Sequence, residues 1–273
     1  MTIPFTLGHA LYMKAIHGGK AKNDKIDAHK IAVLLRGGML PQAYVYPKAM
    51  RATRDLLRRR NHLMRKRAEL LAHIHNTASQ YNLPPLGVRV DRKGERALIP
   101  AHFPDVVVRR SVELDLAMIE HYDSLLGKLE QELARMAKDH DAFAYHLLRS
   151  IPGVGRILTL VLLYEIENVN RFPRVQEFLS YARLVKAQKS SAGKILGHSG
   201  KKIGNVHLKW AFSEAAVLFL RGNPDGQRFV ERLAKKHGKG KALSILAARL
   251  GRAVYAILKD RVPFDREKFF MNA

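Results

Sequence analysis

The stretch RATRDLLRRRNHLMRKRAELLAHIHNTASQY, residues 51–81, decides which architecture is expected for this chain. Apolar pairs recur in it every seven residues, at Leu56–Leu57, Leu63–Met64 and Leu70–Leu71. This is the spacing at which one helix packs lengthwise against another. Arg60 and Arg67 stand at intermediate heptad positions, where we expect them either to lie at the edge of the seam or to extend their charged ends to solvent. The pattern predicts one long helix.

A second long helix is predicted from Val112 to Lys138. Its expected apolar face consists of Leu114, Met118, Leu125, Leu129, Leu133 and Met136. The first helix is rich in arginine and the second in aspartate and glutamate, so the two faces are electrostatically complementary. An antiparallel helical hairpin would let them meet, as would a coiled-coil arm used for dimerisation. Two solvated faces of an ordinary helical bundle remain an alternative.

Shorter patterns flank these helices. The opening IPFTLG (residues 3–8) is short, apolar and β-prone, which predicts one strand. The segment 21–38 predicts a helix capped by Asn23 or Asp24 and ended by two glycines, Gly37 and Gly38. A compact helical domain is expected from Phe143 onward.

Within that domain, IPGVG (residues 151–155) has the form of a helix-hairpin-helix turn. Gly153 and Gly155 permit a tight turn, and the free N–H groups that begin the next helix suit a phosphate. A plain connection between two helices is the alternative.

A basic segment, FLSYARLVKAQKSSAGKILGHSGKKIGNVHLKWAFS (residues 178–213), contains no acidic residue. Its centre predicts a glycine- and serine-rich loop between two helices. We expect nucleic-acid contacts from five of its lysines, Lys186, Lys189, Lys194, Lys201 and Lys202. Concentrated positive charge also activates a serine nucleophile and stabilises charge on a phosphoryl group. The serines could equally be phosphate donors or turn residues.

Composition points to the same kind of partner. The 273 residues include 48 Lys and Arg against 24 Asp and Glu, a formal charge of +24. Such an excess favours an acidic partner, nucleic acid first and an anionic membrane surface second, although no amphipathic aromatic helix accompanies the charge. No apolar run approaches the roughly 18 residues of a membrane span. With no cysteine, the chain has neither disulfides nor thiolate metal sites, and we expect it in the cytoplasm.

Asp24 and Asp27 are three residues apart at a predicted helix start, so their carboxylates can project from one face. Such a pair can contribute to a divalent metal site. It can also simply cap the helix and compensate its dipole.

Three motifs together resemble one family: NDKIDAHKIA near the start, IPGVG in the middle, and SSAGKILGHSGKKIGNVHLKWAFSEAA. In this order they resemble the DEDD-type insertion-sequence transposases of the 110 group. The resemblance implies a mainly α fold in three parts. These are a residual RuvC-like α/β fragment (1–48), a helical coiled-coil arm (49–140) and a compact helical transposase domain with a helix-hairpin-helix-like turn (141–273).

The resemblance also implies roles for particular residues. Asp24 and Asp27 would be the last two carboxylates of a four-carboxylate Mg²⁺ site, and Ser191 the nucleophile, with Ser190 as the alternative. The residues that match the family's basic turn, as candidates for DNA contact, are Lys201, Lys202, Gly204, Asn205 and His207. DNA is the implied partner, together with a structured guide RNA and homo-oligomerisation through the arm, in a nucleoid-associated cytoplasmic protein.

The family's first two acidic residues lie upstream of the NDKIDA motif, whereas residues 1–23 contain no acid. We therefore expect an N-terminally truncated transposase, through a late start, a remnant gene or a part supplied by another chain. Two functions follow. The first is a DNA transposase or recombinase that cleaves and joins strands through a serine; the second is a catalytically inactive remnant that only binds nucleic acid.

Overall fold

The structure, a computed structural model, describes residues 4–13, 23–192, 194–199 and 203–271, with backbone alone at 187–190, 195–196 and 198–199. Within these ranges the chain is mainly α-helical, as predicted. The helices are α1 (Asp24–Arg36), α2 (Lys48–Gln80), α3 (Val106–Arg149), α4 (Arg156–Ile166), α5 (Val175–Tyr181), α6 (Val206–Leu218), α7 (Pro224–His237), α8 (Lys239–Asp260) and α9 (Arg266–Met271). One antiparallel hairpin joins β1 (Ala187–Ser191) to β2 (Lys194–Ser199).

Helices α2 and α3 form an antiparallel pair with ion pairs between them. Arg60 donates to Glu130 at 2.8 Å, and Arg67 donates to Asp123 at 2.5 Å. The later residue on α2, Arg67, pairs with the earlier residue on α3, Asp123, so the helices run in opposite directions. Of the two alternatives for Arg60, extension to solvent is wrong: the residue is only 9% exposed, because Glu130 supplies the compensating charge inside the seam.

The apolar face predicted for α3 is wrong in its N-terminal part. The buried positions recur every seven residues, at Val112, Ile119, Leu126 and Leu133. Of the residues expected there, Leu133 is buried and Leu129 packs against the core, whereas Leu114 is 57% exposed and Met118 is 45% exposed. The face that α3 buries is set by its pairing with α2, and the sequence of α3 alone offers two competing apolar stripes.

The far end of this arm has its own small core. The connection between α2 and α3, which contains short 3₁₀ turns, folds back so that Val90, Ile99 and Phe103 are buried against Ile74 and Val112. Apolar contacts therefore close the end of the helical pair.

The larger core surrounds α4. Every residue from Leu158 to Ile166 is buried, and α4 packs against α3, α6 and α2. Phe178, Phe212 and Phe219 are among its largest fully buried side chains. Asp141, at the predicted 140/141 domain boundary, has non-helical backbone angles inside α3. Among the described residues, no helix is both long and apolar enough to span a bilayer.

Of the two elements predicted for the N-terminal part, the helix forms and, among the described residues, the strand does not. The Asn23 side chain accepts a hydrogen bond from the Ile26 N–H at 2.9 Å and caps α1, and the helix ends before Gly37 and Gly38, as predicted. The strand predicted over residues 3–8 does not form within the described residues. Gly8 makes one isolated antiparallel bridge with Gln42, because the described residues offer it no further strand with which to build a sheet.

The IPGVG turn contains a glycine with a packing requirement. Gly153 has φ +80°, and a Cβ there would lie 2.5 Å from the backbone nitrogen of Phe219. Close backbone approach and the left-handed conformation both demand glycine. Gly155 has open space around it and begins α4.

We predict that Gly153→Ala lowers the free energy of unfolding by about 3 kcal/mol, since it combines backbone strain with overpacking. Gly127→Ala is the matched control. Gly127 lies inside α3, and a Cβ at this position would meet nothing within 4 Å, so alanine should stabilise the chain by about 0.5–1 kcal/mol. Urea denaturation followed by circular dichroism measures both, and equal effects of the two substitutions would contradict the packing role.

Candidate nucleic-acid interface

The centre of the basic segment is a β-hairpin, which corrects the predicted loop. β1 and β2 pair with Ser191 opposite Lys194, leaving a two-residue connection that starts at Ala192. Ala192 has φ +48°, a conformation suited to a tight hairpin turn and strained for alanine. Backbone pairing across this short turn produces the strands, although the composition is typical of a loop. Ser191 is exposed at the end of β1.

The basic side chains of this segment are described only in part. Lys186 and Lys194 are exposed, one before β1 and the other at the start of β2. Lys201 and Lys202 lie outside the described residues. Of Lys189 and Ser190 only the backbone is described, at a bulge in the hairpin. The described lysines therefore lie on or beside the same hairpin as Ser191.

Hydrogen bonds connect the residues just before the hairpin to those just after it. The Asn205 N–H donates to the Tyr181 carbonyl at 2.6 Å, and the Arg183 guanidinium donates to the Gly204 carbonyl at 3.0 Å. Gly204 has φ +100°, and a Cβ there would lie 2.5 Å from the Tyr181 oxygen. This predicted contact residue therefore has a structural reason to be glycine, namely the close approach of two backbones.

Asn205 has an internal role. It is 7% exposed, and its side-chain oxygen caps α6 by accepting from the N–H groups of His207 and Leu208 at 2.9 and 3.1 Å. Its amide nitrogen donates to Glu165 at 2.7 Å. Both ends of the amide are occupied, so the DNA contact expected of Asn205 is replaced by a structural function at the base of the hairpin.

Glu165 holds together, through its carboxylate, the residues at the base of the hairpin. Its side chain is 1% exposed and receives two hydrogen bonds from Arg58 of α2, at 2.7 and 2.8 Å, besides the one from Asn205. Burial alone would raise the pKa of Glu165, but the hydrogen bonds from Arg58 and Asn205 outweigh it and leave the pKa below its usual value. The cluster joins the arm, the buried α4 and the start of α6.

Sequence reasoning misses this residue. In the sequence, Glu165 only interrupts the apolar run ILTLVLLYEI (residues 157–166). A single acid inside an apolar run that is expected to be buried predicts a buried ion pair, because a buried charge requires a partner. The partner, Arg58, is 107 positions away in the chain, beyond any local pattern.

Aromatic residues before α2 extend the cluster. The Tyr46 hydroxyl donates to the Glu165 carbonyl at 2.8 Å and lies 2.9 Å from the Tyr181 hydroxyl. The Arg171 guanidinium lies over the rings of Tyr44 and Tyr181, 4.1 and 4.5 Å from their centroids. These contacts bind the chain just before the arm to the helices that carry the hairpin.

His207, at the start of α6, is half-buried. Burial lowers its pKa; Glu165 acts in the opposite direction, and the arginines Arg58, Arg65 and Arg54 of α2 lower it further. The imidazole is therefore neutral near pH 7 and offers a hydrogen bond but no charge to a ligand. Arg58 of α2 and Asn205 both bond to Glu165, so α2 lies close to the base of the hairpin.

The two aspartates lie on α1, away from this cluster in sequence. Both belong to its first turn, with Asp24 exposed and Asp27 partly buried. The described residues contain no group of three or more His, Cys, Asp or Glu side chains placed to hold a metal ion. The donors present therefore do not fit a complete Mg²⁺ site, which needs more oxygen ligands than one such pair provides.

We predict that Glu165→Gln lowers the free energy of unfolding by about 2 kcal/mol, because a neutral amide replaces the buried carboxylate that accepts from Arg58 and Asn205, while the Arg58 side chain itself is 35% exposed and keeps part of its hydration. Glu177→Gln is the matched control. Glu177 pairs with Arg174 on the surface, so its loss should cost under about 0.5 kcal/mol. Urea denaturation at pH 7 measures both, and equal losses would refute a special role for Glu165.

The Glu165 contribution has a defined pH dependence. Because the folded pKa lies below the ordinary 4.5, the stabilisation is fully present above pH 4.5 and is lost as the pH falls through the folded pKa. The difference in unfolding free energy between the unsubstituted chain and Glu165→Gln should therefore narrow on going from pH 7 to about pH 3. A difference that stays constant over this range would mean that the carboxylate charge is not what stabilises the cluster.

Comparison with known proteins shows which sequences resemble this chain. A family model described as the transposase IS116/IS110/IS902 family matches residues 145–231, and a DEDD transposase model of IS110 matches residues 5–83. The transposase of insertion sequence IS1111A from Coxiella burnetii is 25% identical over 253 residues, 87% of this chain and 66% of that protein. The transposase of IS1328 from Yersinia enterocolitica is 24% identical, over 90% of this chain and 74% of that protein.

A pilin gene-inverting protein from Moraxella lacunata is 29% identical over 158 residues, 54% of this chain and 48% of that protein. The chain thus spans about half to three quarters of the length of these three relatives. The two family models match the part that carries α1 and α2 and the part that carries the hairpin. Both parts of the chain are thus similar to the IS110-type insertion-sequence transposases.

Proposed function

We propose that this protein acts on DNA as a transposase or recombinase and that Ser191 is its nucleophile. The observation that carries the proposal is the exposed position of Ser191 at the end of β1, on a hairpin whose two ends are fastened together. The names of the relatives, two transposases and a pilin gene-inverting protein, favour DNA as the substrate. A formal charge of +24 suits a polyanionic partner.

In the proposed step the Ser191 oxygen attacks a DNA phosphorus atom. A serine–phosphate ester forms, the bond from phosphorus to one sugar oxygen breaks, and the serine proton is transferred to that departing oxygen. The phosphodiester count is unchanged, so a sugar hydroxyl of another strand can reverse the step and join to a new end. Lys186 and Lys194 are the described cations that would stabilise the negative charge that develops on the phosphoryl oxygens.

Glu165 and Asn205 would contribute to this step only by positioning the hairpin that carries Ser191. They hold the residues before and after the hairpin at fixed places on α4 and α6, and so limit where Ser191 can lie. Asp24 and Asp27 remain proposed contributors to the divalent metal site that a DEDD-type family implies, Mg²⁺ in our proposal. The described residues provide too few donors to hold that metal by themselves.

Self-association through the arm is a further part of the proposal, as is a structured guide RNA bound by the family. The arm pairs α2 with α3 inside one chain, yet it leaves Leu114, Met118 and Leu125 at least 39% exposed. Replacing all three by serine should lower the apparent mass in sedimentation velocity if this stripe joins two copies. The same substitutions at the exposed Val106 and Val107 are the control, and an unchanged mass in the first variant would refute the arm contact.

A second candidate, a nucleic-acid-binding protein without catalysis, is favoured by one observation. The acidic pair on α1 has no third carboxylate near it among the described residues. Both candidates predict binding that weakens as salt rises, whereas only the first predicts a covalent protein–DNA adduct.

We predict that Ser191→Ala lowers the yield of denaturant-resistant adduct by about 100-fold or more while DNA affinity changes by less than about 3-fold. Labelled DNA carrying the element's ends is incubated with the protein and resolved on a denaturing gel. Ser213→Ala is the control, because Ser213 is exposed but its hydroxyl bonds to the Lys209 carbonyl within α6.

The outcomes separate the candidates. An adduct that survives in Ser191→Ala and disappears in Ser190→Ala would move the nucleophile to Ser190. An adduct that survives in both would refute the serine mechanism on this hairpin. Tight DNA binding by the unsubstituted protein without any adduct would favour the non-catalytic candidate.

A further inference from the structure

A groove between α7, α8 and α9 lies outside the hairpin site. It contains a cavity of about 1130 Å³ lined by Arg249 and Arg252 of α8, and an adjoining cavity of about 690 Å³ lined by Arg232 of α7. Phe229 lines both cavities, so they belong to one continuous surface. We call Arg232, Arg249 and Arg252 the arginine cluster.

The cluster is held close together. The Arg232 and Arg249 guanidinium carbons lie 5.9 and 5.4 Å from the centroid of the same Phe229 ring. Arg252 is three residues after Arg249 on α8, so both project from one side of that helix. Arg249 also donates to the Phe269 carbonyl at 2.7 Å, which orients its guanidinium toward α9. Helix α7 thus contributes one cation and helix α8 two.

Charge compensation in this groove is uneven, although its lining also includes the acids Asp225, Asp260, Asp265 and Glu267. Arg228 and Arg266 both pair with Asp225. Within the part of the chain that the structure describes, neither Arg232 nor Arg252 forms an ion pair, and both are exposed. Burial lowers the pKa of Arg249, and the positive charges of Arg252 and Arg232 lower it further, which shows that the three cations repel one another. An anion in the groove would relieve that repulsion.

We propose that the arginine cluster binds the phosphate groups of a nucleic-acid strand, at a second site distinct from the Ser191 hairpin. The guanidinium fork matches phosphate oxygens in pairs. Two guanidiniums over the Phe229 ring, with Arg252 three residues after Arg249 on α8, can neutralise adjacent phosphates. Because the two cavities share Phe229, adjacent phosphates of one strand can lie in both. The site takes phosphodiester chemistry, which DNA and RNA share, and it requires no covalent step at Ser191.

The test measures binding of the full chain to fluorescent single-stranded oligonucleotides by anisotropy, over a series of salt concentrations. Arg232→Ala/Arg252→Ala should weaken binding by about 10-fold near 0.1 M salt and make the logarithmic salt dependence shallower by about 1. The matched control is Arg89→Ala/Arg110→Ala, which removes the same charge from exposed positions on the arm. It should change affinity by less than about 3-fold.

DNA and RNA of the same sequence form the two arms of the experiment. A larger loss with one of them identifies that nucleic acid as the ligand of the groove, and inorganic phosphate should compete only at millimolar concentration. Equal losses in the two double variants would attribute the effect to net charge and overturn the proposal, as would undiminished binding. Arg232→Lys/Arg252→Lys keeps both charges, and an intermediate loss there supports paired recognition of phosphate oxygens, while circular dichroism verifies that each variant is folded.

Discussion

The carboxylate of Glu165 connects parts of the chain that are far apart in sequence. It is buried on α4 and accepts two hydrogen bonds from Arg58 of the arm and one from Asn205 at the start of α6, while the backbone carbonyl of Glu165 accepts from Tyr46. Burying one charge without partners would cost several kcal/mol, so arm, core and hairpin base must meet in this one arrangement to satisfy it. The position of the hairpin, and with it that of Ser191, follows from this constraint.

Buried charges are also compensated along the arm. Arg60 and Arg67 occupy heptad positions where leucine would be usual, and each is neutralised by an acid of α3. A buried ion pair adds little net stability but disfavours every register in which a charge is left alone. Charge thus selects the register of the arm, and its apolar residues supply the cohesion.

Much of this architecture can be anticipated. Periodicity and capping residues predict the long α2, the capped α1 and the helical C-terminal part, since both act over three to seven positions. They do not predict the hairpin, the buried face of α3 or the fate of the opening strand. The basic segment has the composition of a loop, α3 offers two apolar stripes, and a strand requires a partner strand that no local pattern reveals. Ser191 is identified from residue type and family motif, whereas Glu165 needs the structure.

By itself the sequence determined the helical class of the fold, the excess of positive charge, the acid-free basic segment and the motifs of the family. These properties are local or additive, so they can be counted along the chain. Only the tertiary structure decided that Asn205 faces inward, that Gly153 and Gly204 lie against other backbones, and that Arg232 approaches the arginines of α8. Each depends on residues brought together from distant positions, where packing and the need to compensate buried charge choose the partner.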